Sequence, residues 1–417
     1  MHQYEVFVFI ICLAAAFSYI NHRFIRWTPT IGIMSMSLVA SVLLAASIEI
    51  LPGYSATLIN IITSIDFHRL LIDGMLGFML FAGSIHIKAG ELRNQLVPVI
   101  ALSTVGVVIS TFLIGSLLFW LLGAFHLDIQ YIYCLLFAAL ISPTDPIAVL
   151  SILKQSGLKK SMELKIAGES LFNDGVAVVV FLTILEVAQK GAGNFSGGDV
   201  AILLLREAGG GLLFGAALGY LGYYLVRSID KYEVEVLMSI ALVMGGYLLA
   251  NKIGTSGPLA MVVAGIITGN KTRNDALSET NRYHFNKFWE LVDEVFNAIL
   301  FLLMGFEMLI VKMNSLIITI AIVCIFLVLL ARWVSVALPV MVLKARIKFE
   351  RHAIAILTWG GLRGGLSIAL ALSLPAGSYK DLFVAITYAV VIFSIIVQGL
   401  TIGPVYKWLN RSKQPNL

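Results

Sequence analysis

Apolar stretches of about 17–28 residues follow one another from Val6 almost to the end of the chain, about thirteen in all, parted by charged connections. A run of that length crosses a hydrocarbon core of about 30 Å as a helix with some tilt. In lipid, every backbone N–H and C=O must be satisfied inside the protein, and long continuous apolar runs do this as α-helices. The fold class expected is therefore an all-α polytopic membrane protein. Charge agrees, since only 13% of the residues are charged, about half the share in a soluble domain. The first stretch, Val6 to Ile20, reads as a spanning helix and not a cleaved leader, because its basic residues, Arg23 and Arg26, follow it. Cys12, Cys134 and Cys324 are scattered among apolar residues, with neither metal spacing nor a disulfide framework.

Basic residues orient the chain. Most of the 29 Lys and Arg lie in the connections after the odd-numbered stretches, the side that stays cytoplasmic. The N-terminus is then expected outside and the C-terminus in the cytoplasm. This placement accounts for the net charge of +5 without a nucleic-acid partner. The connection from Lys271 to Lys287 mixes charges with Tyr283 and Phe285; it is either an interfacial amphipathic helix or a solvated loop.

An odd number of spans parses as one extra N-terminal helix plus two sets of six. The fifth stretch, about 130–153, then corresponds to the twelfth, about 351–374. Each is interrupted near its middle, the fifth by Pro143 and Pro146, the twelfth by Gly360, Gly361, Gly364 and Gly365. Paired broken helices at equivalent places in two inverted halves point to a transporter's binding site.

The fifth and sixth stretches also carry Asp145, Glu169 and Asp174. A carboxylate at the bilayer centre costs roughly 2.5–3.5 kcal/mol on insertion scales, so each is a functional candidate. Pro143 and Pro146 lack backbone N–H groups, which leaves carbonyls one turn earlier without partners. Thr144 offers a hydroxyl beside Asp145, which sits at the start of the second half-helix. Ser170 lies three residues before Asn173 and four before Asp174, so the three share a face; Glu169 is turned about 140° from Asp174. Such oxygen donors suit hard cations. Withdrawal from water favours the neutral form of a lone carboxyl, so Asp174 can hold a proton or a monovalent cation, one at a time. The plainer alternatives are a packing kink capped by Asp145 and a polar network gluing helices. Deep in the twelfth stretch, Arg363 either pairs with Glu169 or holds the carbonyl ends of the broken helix. Arg332, in the eleventh, is a supporting base that either pairs with Asp145 or snorkels to the cytoplasm. If all five groups share one buried site, a single net negative charge remains, enough for one monovalent cation or one proton exchanged one for one. Glu307 is read as lying near an outer helix end, where charge is cheap.

The motifs Ser142-Pro143-Thr144-Asp145-Pro146, Gly168-Glu169-Ser170-Leu171-Phe172-Asn173-Asp174-Gly175 and Gly360-Gly361-Leu362-Arg363-Gly364, in that order, resemble those of the NhaP-like sodium/proton antiporters. These belong to the monovalent cation:proton antiporter (sodium/hydrogen exchanger) family, and the resemblance covers essentially the whole chain. It implies a homodimer whose core domain, about 70–188 and 289–374, carries two crossed unwound helices and moves like an elevator. The dimerisation domain would be about 5–50, 202–270 and 382–408. It implies Asp174 as the exchanging carboxylate, with ion contacts from Asp145, Thr144 and Ser170. Asn173 would mark electroneutral exchange, and Glu169 with Arg363 would form an internal ion pair. Some members carry an acid where this chain reads Leu80-Phe81-Ala82-Gly83, so the resemblance leaves open whether the third stretch supplies a ligand. The chain also lacks a long cytoplasmic tail, which favours a prokaryotic inner-membrane protein.

The function expected is exchange of Na⁺ or Li⁺ for H⁺, with no cofactor. K⁺/H⁺ exchange on the same scaffold is the nearest alternative. A cation channel is disfavoured because no carbonyl-filter motif occurs. Intramembrane proteolysis is disfavoured because Asp145 and Asp174 lack a Gly-x-Gly-Asp setting, and no nucleophile–base motif suggests an enzyme.

Overall fold

A computed structural model describes residues 3–47, 65–191, 196–229, 231–272, 279–311, 314–377 and 379–410. Arg273, Lys312, Arg411 and Lys413, and the last residues expected in the second stretch, 48–50, lie outside the described residues.

The described residues are almost wholly helical. The principal helices are α1 (Tyr4–Ile25), α2 (Pro29–Ala46), α3 (Phe67–Ile85) and α4 (Leu96–Ala124). Two half-helices follow, α5a (Tyr131–Ile141) and α5b (Ile147–Gln155). Next come α6 (Lys160–Lys190), α7 (Gly197–Arg227) and α8 (Tyr232–Lys252), then α9 (Gly257–Lys271) and α10 (Glu279–Phe306). The chain closes with α11 (Ser315–Leu343), the half-helices α12a (Ala353–Trp359) and α12b (Gly365–Leu372), and α13 (Lys380–Asn410). Among the described residues, nine helices are long and apolar enough to cross a membrane. The other expected spans differ for physical reasons. Two are broken, α9 has only 15 residues, and α10 begins among charged residues, having absorbed the end of the Lys271–Lys287 connection.

Local chemistry sets the helix ends. Ser196 and Asp199 cap each other's backbone at the start of α7, with Ser196 N donating to Asp199 Oδ2 at 2.8 Å. Ser256 caps α9, and Asn314 caps α11 by accepting from Ile317 N at 2.8 Å. Pro29 and Pro258 occupy first turns, where a missing N–H costs nothing.

Small residues decide the packing of α9. A Cβ on Gly269 would lie 2.1 Å from the Ile85 carbonyl oxygen on α3. Backbones can approach so closely in lipid only where side chains are absent.

The links inside the broken helices, 142–146 and 360–364, cross. They run antiparallel and share one bridge, in which Asp145 N donates to Leu362 O at 2.7 Å. The expected pair of crossed discontinuous helices is present.

Candidate functional site: two carboxylates at the helix crossing

The prolines of the α5 link create the site by subtraction. Carbonyls that a regular helix would have satisfied remain free, and Arg363 fills them. Its Nη1 donates to the Ser142 carbonyl and, at 3.0 Å, to that of Pro143. The α12 link is steadied in turn by α13. Arg363 N donates to Ser394 Oγ at 2.9 Å, Ser394 Oγ donates to Gln398 Oε1 at 2.8 Å, and Gln398 Nε2 donates to Trp359 O at 3.1 Å.

Asp145 caps α5b, where its Oδ1 accepts from Ile147 N at 2.9 Å. Its other oxygen lies against Gly364, whose absent Cβ would sit 2.8 Å away. Thr144 is gripped by α6. Asn173 Nδ2 donates to Thr144 Oγ1 at 2.8 Å, Thr144 N donates to Asn173 Oδ1 at 3.4 Å, and Ser170 Oγ lies 3.1 Å from Thr144 Oγ1. The shared face read from the spacing of Ser170, Asn173 and Asp174 therefore meets the α5 break.

A cavity of about 1320 Å³ takes Thr144, Asp145 and Asp174 into its wall. Asp174 makes no hydrogen bond to the described residues, so its carboxylate is free for a ligand. Ser170 and Asn173 are 3% and 1% exposed and stand behind Thr144, outside the wall. The same cavity is lined by Arg23, Arg26, Lys88 and Lys154, which belong to the basic connections on one side of the bundle. Two carboxylates, a threonine hydroxyl and the polarised carbonyls nearby can coordinate a small hard cation, and either carboxylate can take a proton instead.

The expected ion pair is rearranged. Glu169 meets Arg332, not Arg363: Arg332 Nη1 lies 2.5 Å from Glu169 Oε1. Arg332 Nη2 also donates to Leu357 O on α12a at 3.1 Å. Turned away from Asp174, Glu169 faces α11, while the guanidinium of Arg363 is taken by the carbonyls the prolines released. Arg332 consequently neither pairs with Asp145 nor snorkels; it is 6% exposed. The five charges do not form one shared site. Glu169 and Arg332 cancel as a structural tie, and Arg363 stands behind the two cavity carboxylates. Glu307 is likewise not at a cheap surface position, being 4% exposed.

Sequence reasoning missed a further group. Glu290, Asp293, Glu294 and Asn297 on α10 also line the cavity. Their spacing, i, i+3, i+4 and i+7, is a polar stripe on one helix face. All four lie within the tenth apolar stretch, about 289–310, where acids are costly, and that was the available signal.

Comparison with known proteins extends over the whole architecture. A sequence profile described as "Sodium/hydrogen exchanger, transmembrane" matches residues 8–408. The Na(+)/H(+) antiporter NhaP of Pseudomonas aeruginosa is 46% identical over 402 residues, 95% of this chain and 95% of that protein. The Na(+)/H(+) antiporter NhaH of Halobacillus dabanensis is 36% identical over 353 residues, 82% of this chain and 84% of that one. Among solved structures, the sodium proton antiporter MjNhaP1 from Methanocaldococcus jannaschii superposes with a TM-score of 0.74 at 20% identity, covering 98% of this chain and 100% of that one. At that identity the structural likeness speaks to the fold.

Proposed function

The chain belongs to the sodium/hydrogen exchanger family, and we propose that it exchanges Na⁺ or Li⁺ for H⁺ across the cytoplasmic membrane, one for one and without net charge movement. The observation that carries this reading is the meeting of Asp174, Asp145 and Thr144 in the wall of one cavity at the helix crossing. The naming of curated relatives as Na(+)/H(+) antiporters supports it.

In this reading Asp174 is the shared seat. When deprotonated it binds a cation together with Asp145 and Thr144, and Ser170 joins through the Thr144 hydroxyl 3.1 Å away. When protonated it holds none. Asn173 fixes Thr144 and adds no charge, so loaded forms carrying either passenger have equal charge. The basic residues Arg23, Arg26, Lys88 and Lys154 in its wall support a cavity that opens to the cytoplasm, with the N-terminus outside and the C-terminus inside. The two broken helices belong to inverted six-helix halves, α1 being the extra helix. A core of about 70–188 and 289–374 moves against a homodimeric scaffold of about 5–50, 202–270 and 382–408, carrying the site from one side to the other.

The test uses purified protein in liposomes with an imposed pH gradient. Na⁺ and Li⁺ should collapse the gradient; collapse by K⁺ alone would reassign the cation. A rate that changes with a valinomycin-set voltage would overturn electroneutrality. Asp174→Asn should reduce exchange by more than about 100-fold, to background, while the protein still elutes as a folded species. Undiminished exchange by that variant would remove Asp174 from the mechanism.

A further inference from the structure

Asp293 and Asn297 lie four residues apart on α10 and line the cavity that holds Asp145 and Asp174. The Asn297 side chain is 7% exposed, and its donors are committed. Nδ2 donates to Asp293 O at 2.7 Å and to Asp293 Oδ1 at 3.1 Å. That commitment fixes which end of the amide is oxygen, and Asn297 Oδ1 is left buried with no hydrogen-bond partner. A buried acceptor without a donor costs free energy unless something positive or hydrogen-donating meets it. The neighbouring carboxylate is in a similar position. Glu290 on the same stripe is paired with Lys287 at 2.9 Å, whereas Asp293 has no basic partner among the described residues.

From this arrangement we propose that Asp293 and Asn297 form a second alkali-cation station in the cavity, separate from the seat at Asp174. An anionic oxygen and a neutral amide oxygen, carried on side chains tied to each other through the Asn297 Nδ2 hydrogen bonds, suit a hard monovalent cation that keeps part of its water shell. Local charge favours it, since Glu294 lines the same cavity one residue on from Asp293. The station would hold an ion between the basic rim and the seat, raising its local concentration without taking part in the exchange of cation for proton. The proposal rests on the exchanger reading for its ion, and its test is a binding measurement that does not need turnover.

Equilibrium binding of radioactive sodium to the purified full-length protein, read by scintillation proximity, separates the two sites. Asp174→Asn should lose the tighter site and keep one weak, saturable site. Adding Asp293→Asn should reduce that residual binding to background, and adding Asn297→Ala should weaken it about tenfold. Asn297→Ser, which restores an oxygen, and Asp293→Glu, which restores the carboxylate, should retain it. Unchanged thermal midpoints certify that each variant is folded. Should folded Asp174→Asn bind no sodium while the wild type exchanges it, the station does not exist, and the exchanger reading survives. Residual binding that is indifferent to Asp293→Asn also overturns it. A wild type that neither binds nor exchanges sodium removes both readings together.

Discussion

The fifth and twelfth helices are broken at their crossing by opposite chemistry. In α5 the break comes from Pro143 and Pro146, which take away donors and leave acceptors over. In α12 it comes from Gly360, Gly361, Gly364 and Gly365, which take away side chains and let neighbours in. A Cβ on Gly361 would sit 2.5 Å from Arg332 Nε, and one on Gly364 2.7 Å from Asp145 Cβ. The difference makes the two breaks complementary. The surplus carbonyls of Ser142 and Pro143 receive the guanidinium of Arg363, and the Leu362 carbonyl receives the amide of Asp145. One link offers oxygens to a cation; the other supplies the fixed positive charge that keeps those oxygens in place. Two proline breaks would compete for a donor that neither has, and two glycine breaks would present no acid.

The sharpest way to break this comparison is to ask which arginine belongs to Glu169. If Arg363 serves the α5 link, removing Glu169 should orphan Arg332 alone. Glu169→Gln is expected to destabilise by about 3–5 kcal/mol, the cost of an unpaired buried charge. Combining it with Arg332→Gln should recover much of that loss, whereas combining it with Arg363→Gln should make matters worse. Thermal unfolding of the three single and two double variants measures both cycles. Rescue by Arg363→Gln instead would return Arg363 to the ion pair and dissolve the division of labour between the breaks.

That pairing shows where the sequence stopped being legible. Prolines, glycines and carboxylates in apolar runs announce the breaks, because each is expensive in a membrane helix and has few inexpensive explanations. Ser170, Asn173 and Asp174 are legible for a similar reason, since helical spacing alone places them on one face. The partner of Glu169 is not a local property. Arg332 is 163 residues away, and its arrival depends on the rotation of α11 against α6, on which one sequence is silent. The Asp293–Asn297 stripe failed differently. Its acids stand at the start of the tenth apolar stretch without a proline or glycine break to mark them, and only the cavity shows that they face the same space as Asp174.

A smaller effect is expected from closing the gap that the α12 glycines keep open. Gly364→Ala places a methyl group 2.7 Å from Asp145 Cβ and 2.8 Å from its Oδ2, closer than packing allows. Overpacking of this kind costs about 1–3 kcal/mol, and here the strain falls on a cavity carboxylate. Exchange should fall by more than the loss of folded protein explains. Activity per folded molecule, from transport rate and elution profile on one preparation, separates the two. If it is unchanged, Gly364 is only a packing residue and the tolerance of the α12 break has no bearing on the site.

The smallest expected effect lies at the entrance to α12, where a second tie to α6 can be set against the buried one. Lys165 on α6 donates to Glu350 Oε2 at 2.8 Å, and Ser161 donates to Glu350 Oε1. Burial by itself would raise the Glu350 carboxyl, but the hydrogen bonds from Lys165 and Ser161 outweigh it and hold the group below its ordinary value. The folded protein therefore binds a proton less readily than the unfolded chain at this position. The tie's contribution is present above the unfolded carboxyl's value, about 4.3, and is lost as pH falls through the lower folded value. Partial exposure of Glu350 limits it to about 1 kcal/mol. Glu350→Gln should thus lower the thermal midpoint slightly at neutral pH and make no difference in acid well below about pH 4. A deficit that persists in acid would mean that the α12 entrance is held by shape and not by charge, leaving α6 linked to α12a through Arg332 of α11, by its ion pair with Glu169 and its hydrogen bond to Leu357 O.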